Sequence, residues 1–464
     1  MKNTISSGED KISNILLKNI NKKFKLVLLH LFNTIITSMI IPNRWKKVIV
    51  RMIPKTVNNK KDPKNYRPIS LTSCISRLGE RFILLEISKH LSENKIIIKQ
   101  QSGFRSFRQT KDNILCICQR NLEFLNKKQQ NCTIFFDISK AFDKVWQLGL
   151  LYKMKEMKFK EIIIVWLFYF FQNRVSVIFI NSTFSMSFDI ETGVPQGGVL
   201  SPVLFSIFIN DILKSPTIYK KTEVYSNLFA DDLASSCSAK SIKKINLTLN
   251  LFLNKIEKWL FKWRLEMNGK KCQYILFGRS TKKDEIKLKL FNDFIPKVAQ
   301  TKFLGVTLDS RSNFSKCVDE IVNKCTSRLN ILKVLGQKSW KLKNDTIKAI
   351  YFSLIRSIID YNSIIYPLLS KLNQRKIDSI QYKALRIVYK QPIKTKTSTL
   401  LELAKTTSIS DRITELNKRY LNNCIINNNE LIVELISKYK NWYPHSRITQ
   451  YKTFFCNYRD ILFK

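Results

Sequence analysis

The segment Tyr225-Ser226-Asn227-Leu228-Phe229-Ala230-Asp231-Asp232-Leu233 sets two adjacent carboxylates between two apolar runs. That pattern predicts a β-hairpin with the aspartates at its turn. Aspartate is also ordinary turn chemistry, so the pair alone leaves two readings open, a turn or a reactive site. Upstream, Thr133-Ile134-Phe135-Phe136-Asp137-Ile138 carries another carboxylate to the end of an apolar strand. Three carboxylates presented by neighbouring strands suit hard divalent cations, which prefer oxygen ligands. Two such ions, roughly 3.5–4 Å apart, clamp the attacking and leaving oxygens of an in-line phosphoryl displacement. The expected chemistry is metal-dependent nucleotidyl transfer.

The elements that must position these groups follow from periodicity. Helical spacing of apolar residues predicts two helices over residues 12–41, then helices over Ser76–Leu91, Lys111–Leu125, Ala141–Met157, Glu161–Gln172 and Ser241–Trp263. Strands are expected at Trp45–Ile53, Val175–Ile180, Phe184–Glu191, Gln273–Phe277, Ile286–Leu290 and Phe303–Leu308. Pro68 biases Arg67 towards extended geometry, so Asn65–Leu71 is extended as well. A flexible loop, Gly193-Val194-Pro195-Gln196-Gly197-Gly198, runs into Ser201-Pro202, read as an N-cap and first-turn pair. From about Asn313 the pattern is purely helical, with stripes such as Ile321, Cys325, Leu329 and Leu332. The fold class is α+β.

Composition narrows the partners. The 464 residues hold 80 Lys+Arg against 35 Asp+Glu, a formal net charge of +45 spread along the chain. Such a surplus points to a polyanion, and so to nucleic acid; codon drift in an A/T-biased genome explains some lysines but not the shortage of acids. The ten cysteines show no Cys-x-x-Cys spacing, and the three histidines lie far apart at 30, 90 and 445, which argues against a zinc site. The apolar stretches Leu26–Ile41 and Ile162–Phe171 read as core helices rather than membrane spans, and no signal-peptide layout is present. A reducing, intracellular setting without a membrane is expected.

Seven blocks fall in a fixed order: Asn65–Leu71; Gln101–Arg105 with Thr110–Ile114; Phe135–Trp146; Gly193–Asp211; Leu228–Leu233; Trp263–Phe277; and Lys302–Asp309. Together they resemble the reverse transcriptase domain of non-LTR retrotransposons of the jockey-like, LINE type. The resemblance implies a right-hand polymerase, with fingers over 1–130, palm over 131–310 and a helical thumb over 311–395. Residues 396–464 match nothing assignable. The opening Ser6-Ser7-Gly8-Glu9-Asp10-Lys11-Ile12 looks like a worn family block, so the chain is expected to begin inside a longer reading frame that elsewhere carries an endonuclease.

The resemblance also implies roles. Asp137 and Asp231 hold two Mg²⁺ ions (Mn²⁺ being the alternative) with the Ile138 carbonyl as an added ligand, and Asp232 supplies a further carboxylate or simply completes the turn. Phe142, five residues after Asp137, is a steric gate against a ribose 2′-hydroxyl; without the motif it reads as core. Asp143 is expected to cap or salt-bridge at that helix. Gln196 and Gly197 touch the incoming nucleotide and template base, although a turn also accounts for Gly197. Arg67 and Arg105 grip the triphosphate, as a guanidinium matches phosphate oxygens; in so basic a chain either one also reads as a solvated charge. Lys271 protonates the leaving pyrophosphate or acts by charge alone. Phe303, Leu304 and Gly305 form the primer grip. The expected partners are an RNA template, a DNA primer and deoxynucleoside triphosphates. Competing readings are a group II intron-type or telomerase-like polymerase, and a catalytically inactive element fragment that only binds RNA.

Overall fold

The apolar run Gln130–Phe135 has every residue from Asn131 onward buried, so it must lie inside a sheet rather than at its edge. In the computed structural model, which describes residues 7–55, 62–214, 216–278, 286–442 and 452–463, it is the second strand of five. The antiparallel order is Gln273–Phe277, Gln130–Phe135, Asp232–Ala239, Thr222–Phe229, Ile218–Tyr219. The fold class is α+β, with this antiparallel sheet at the centre of one of two compact units.

That unit comprises residues 105–137, 216–254 and 269–463 among those described. Helix Thr110–Asn126 covers one face of the sheet. One apolar core runs from Ile114 and Leu115 through Phe135 and Ile275 into the helices Ser315–Leu335 and Lys371–Tyr389. It continues through Tyr420, Leu431, Ile432 and Phe455 to Leu462, so the described stretches 396–442 and 452–463 contribute to the same core. Helix Ile409–Ile426 is capped by Ser408, whose hydroxyl accepts from the Asp411 N–H, the usual N-cap satisfaction of an orphan donor.

The other unit comprises residues 7–104, 138–214 and 255–268 among those described. Its sheet pairs Lys47–Pro54 antiparallel with Tyr66–Leu71 and parallel with Val175–Ile180. Helices Cys74–Glu93, Gln147–Glu156, Glu161–Phe171 and Ser201–Ile209 bury Ile87, Leu150, Leu167, Leu204, Phe205 and Phe208.

Several expected elements are redrawn. The helix expected over Ala141–Met157 begins only at Gln147; Lys140 takes φ +48° and Asp143 and Lys144 bond back to its carbonyl, so residues 139–144 are turns. The strand expected over Phe184–Glu191 reduces to Thr183–Phe184 and Phe188–Asp189. Ser201 is a first-turn residue rather than the cap, and its hydroxyl bonds the Pro195 carbonyl at 2.6 Å. Phe303–Leu308 is no single strand but a hairpin, Gln300–Phe303 and Val306–Asp309, turning at Leu304 and Gly305 with φ +45° and +81°. Two consecutive positive φ values mark a tight hairpin turn, a signal that an apolar run hides. Among the described residues no helix is long and apolar enough to cross a membrane.

Candidate active site

The hairpin ladder closes at Phe229↔Asp232, leaving Ala230 and Asp231 as a two-residue turn. Such turns need positive φ, and Ala230 supplies it at +56°. An L-residue in that region costs about 1–2 kcal/mol, and strain of this kind gathers where function fixes the backbone. The neighbouring ladder ends at Phe135↔Ala234, and the Phe136 N–H donates to the Leu233 carbonyl at 3.0 Å. One further step of the same register sets Asp137 opposite Asp232. The three expected carboxylates therefore meet at one end of one sheet, within one unit.

Their electrostatics agree. The Asp232 side chain reaches solvent, yet its carboxyl is pushed up to about 6, by desolvation first and by the charges of Asp231 and Asp137 in addition. With the group open to water, crowding of like charge is the physically stronger of these causes. Lys271 places its ammonium 3.7 Å from Asp137 Oδ2. Behind the site, Phe136 packs edge-on to Phe252 at 6.2 Å, and Cys272 is fully buried with its thiol pushed up to about 11 by desolvation.

An all-oxygen donor set with surplus negative charge fits a hard divalent cation. Among the described residues, no three Asp, Glu, His or Cys side chains stand close enough to hold an ion as placed. A hard cation such as Mg²⁺ needs only one or two carboxylates, the remaining positions being filled by water and substrate phosphates. Ile138, the next residue after Asp137, is buried and forms an isolated bridge with Met267.

Phe303 is buried and packs on Phe135 at 5.4 Å, so its side chain supports the sheet rather than facing outward. The tip of that hairpin is held by Tyr361, whose hydroxyl donates to the Leu304 carbonyl at 2.7 Å. A Cβ on Gly305 would meet the Tyr361 ring at 3.3 Å. Arg105 is half-buried beside Arg108, and desolvation, then the Arg108 charge, lowers its pKa.

The other unit gathers the remaining candidates around the Gly193–Gly198 loop. The Gln196 carbonyl accepts from the Ser70 N–H at 2.7 Å, and Gly197, at φ +121°, brings its backbone so near that a Cβ would lie 2.8 Å from the Ser70 carbonyl. Exposed Arg67 is on the same strand, about 10 Å along it from Ser70 at 3.4 Å per residue. Phe142 stacks on Phe205 at 4.8 Å and meets Phe104 edge-on at 6.1 Å. Asp143 caps no helix and makes no ion pair among the described residues; its Oδ1 accepts from Gln196 Nε2 at 2.8 Å, fixing that side chain.

Sequence reasoning missed Glu80. Its buried carboxylate accepts from the N–H groups of Val199 and Leu200 at 2.9 and 3.3 Å and so anchors the loop and the start of helix Ser201–Ile209. Burial pushes its pKa up, and the charge of buried Arg174 opposes that shift. The available signal was its place on the buried stripe of helix Cys74–Glu93, with Ser76, Ile83 and Ile87.

Comparison with known proteins settles the lineage. Residues 57–308 match the family model for reverse transcriptase (RNA-dependent DNA polymerase). The chain belongs to the reverse transcriptase family. Members of this family generally use divalent metal ions. The chain is 28% identical over 433 residues to the RNA-directed DNA polymerase from mobile element jockey of Drosophila melanogaster, covering 92% of this chain and 47% of that protein. It is 27% identical over 419 residues to a probable RNA-directed DNA polymerase from transposon BS of the same fly, covering 89% and 46%. The chain thus spans about half the length of the curated relatives it matches. Among solved structures it is similar to apo telomerase from Candida tropicalis, truncated from the C-terminal domain, at 13% identity and a TM-score of 0.40, covering 62% of this chain and 59% of that one.

Proposed function

We propose that this chain is the RNA-directed DNA polymerase of a non-LTR retrotransposon. It adds deoxynucleotides to a DNA primer on an RNA template. The observation that carries the reading is the register that sets Asp137 opposite Asp232, with Asp231 at the adjoining turn. Two Mg²⁺ ions, held by Asp137, Asp231 and Asp232 with the Ile138 carbonyl, would supply charge neutralisation at the triphosphate and lower the pKa of the primer 3′-hydroxyl. Lys271, beside Asp137, is placed to give a proton to the departing pyrophosphate. Gln196, held by Asp143, and the close backbone of Gly197 orient the incoming nucleotide, while Arg67 and Arg105 attract its phosphates. The stack of Phe142 on Phe205 makes a rigid wall suited to excluding a 2′-hydroxyl. Turn residues Leu304 and Gly305, steadied by Tyr361, position the primer.

The division into fingers, palm, thumb and a basic C-terminal segment is part of this proposal. So is the setting inside the cell as a ribonucleoprotein, which a charge of +45 favours. All three carboxylates of the site are present, which disfavours a fragment that only binds RNA. Primer extension on poly(rA)/oligo(dT) with dTTP and Mg²⁺ tests the reading: extension is expected, and its absence despite salt-sensitive RNA binding contradicts it.

A further inference from the structure

Helix Ser201–Ile209 is held at both ends by buried charges of opposite sign. At its start Glu80, 2% exposed, accepts from the Val199 and Leu200 N–H groups. At its last turn Lys153, 3% exposed, reaches across from helix Gln147–Glu156. Its ammonium donates to the Phe208 carbonyl and to Asp211 Oδ1, and that same oxygen accepts from Trp259 Nε1 at 3.0 Å. Three rings close around the ammonium, with centroids 3.8 Å (Trp263), 4.7 Å (Trp259) and 4.8 Å (Phe208) from its nitrogen. A carboxylate at the N-terminus of a helix and an ammonium at its C-terminus both match the helix dipole. Desolvation lowers the Lys153 pKa to about 8, the Asp211 charge opposing that shift and the Lys262 charge adding to it. The group is therefore an ammonium at neutral pH.

A buried ion pair adds little stability over apolar side chains of the same volume, so the arrangement calls for another role. The helix between the two charges supplies one. Phe205 lies three residues before Phe208, about 4.5 Å along the axis; it is buried and stacks on Phe142 at 4.8 Å. The Phe142 carbonyl in turn accepts from the Val194 N–H at 2.8 Å. Resting on the polymerase reading, with Phe142 as the wall against a 2′-hydroxyl, we propose that Lys153 is a positioning residue for sugar selection: it holds the last turn of the helix, and so sets where Phe205 supports the Phe142 ring. Without the ammonium the helix is free to shift along its axis, and a ring that follows it leaves room for a ribose.

The test is steady-state extension of oligo(dT) on poly(rA) with dUTP or UTP, which share a base and differ only at the 2′ position. Lys153→Met keeps an apolar stem and removes the cation. It should raise kcat/KM for UTP about tenfold, the order that one altered contact in a pocket gives, while that for dUTP changes little. Partial unfolding lowers both alike and does not produce such a split. In a Phe142→Val background Lys153→Met should change the ratio no further, since residues that act through one another are not additive. Should Lys153→Met fail to fold, Asp211→Asn, at a partly exposed position, should move the ratio in the same direction. Hydrogen exchange gives a readout apart from activity: the amides of helix Ser201–Ile209 and of Val194 should lose protection in Lys153→Met. A wild type that extends no primer contradicts the polymerase reading, and exchange then decides whether Lys153 holds the helix. A dUTP/UTP ratio that neither variant moves, additive effects of Lys153→Met and Phe142→Val, or unchanged exchange in folded Lys153→Met overturns the proposal.

Discussion

Replacing Tyr420 by Phe removes one hydroxyl from the junction between the C-terminal segment and helix Thr110–Asn126 on the five-stranded sheet. That hydroxyl donates to Asp112 Oδ1 at 2.6 Å across 308 residues of chain, and Asp112 is 0% exposed. The other carboxylate oxygen accepts from the Gln109 N–H at 3.0 Å. A hydrogen bond to a buried charged group contributes about 1.5–3 kcal/mol, against roughly 1 kcal/mol for a neutral one. Burial raises the Asp112 pKa, and the Tyr420 bond pulls it back down. The folded state therefore carries a cost that sets in as pH rises through the ordinary carboxylate range and is complete above the folded pKa; Tyr420 offsets part of it only while the carboxylate is ionised. Tyr420→Phe should accordingly cost about 2 kcal/mol at pH 8 and about 1 kcal/mol or less once Asp112 is protonated. Because a chain of two units need not unfold in one step, the assay is hydrogen exchange of the amides in helix Thr110–Asn126. Protection should fall about 30-fold at pH 8. A fall under threefold at pH 8, or one that does not shrink on acidification, refutes the reasoning.

Three further outcomes follow from the same geometry. Gly197→Ala puts a Cβ 2.8 Å from the Ser70 carbonyl at φ +121°; it should raise the apparent KM for dTTP at least tenfold in steady-state extension while leaving RNA binding unchanged. Glu80→Gln swaps a charged acceptor of the Val199 and Leu200 N–H groups for a neutral one and removes the charge that opposes the cost of burying Arg174, a loss of about 1–2 kcal/mol; thermal melting should fall and show partial recovery in Glu80→Gln, Arg174→Met. The Asp232 carboxyl, raised to about 6, is ionised at neutral pH and destabilises the metal-free fold there. A proton competes with the metal below that pH, so Mn²⁺ affinity measured by electron paramagnetic resonance should weaken up to about tenfold per pH unit as pH drops below 6, a dependence that Asp232→Asn should flatten.

Much of this was written in local pattern. Strands Val175–Ile180 and Gln273–Phe277 have the bounds that alternation and apolar runs set, while the hairpin turn falls on Ala230 and Asp231, one residue before the Asp-Asp pair that marked it, with Asp232 opening the next strand. What local pattern hides is decided at long range. Residues 141–144 read as helix by periodicity, yet the Gly193 and Val194 N–H groups bond Val145 and Phe142 and hold that segment in turns. Leu304 adopts the positive φ that its two-residue turn needs, and Tyr361, 57 residues on, holds its carbonyl there. Glu80 looks like a surface helix charge until the loop 119 residues later donates to it. The C-terminal helices matched no motif because what they contribute to the fold is packing, which any apolar stripe of the right length satisfies.

The most direct test of the central claim is primer extension by the purified chain beside Asp231→Asn, Asp232→Asn, which keeps shape and removes charge. The account predicts Mg²⁺-dependent extension by the wild type and a loss of at least 1,000-fold in the variant, with RNA affinity unchanged. Equal extension by both proteins would contradict it, because the carboxylates at the end of the sheet would then not be the site of chemistry.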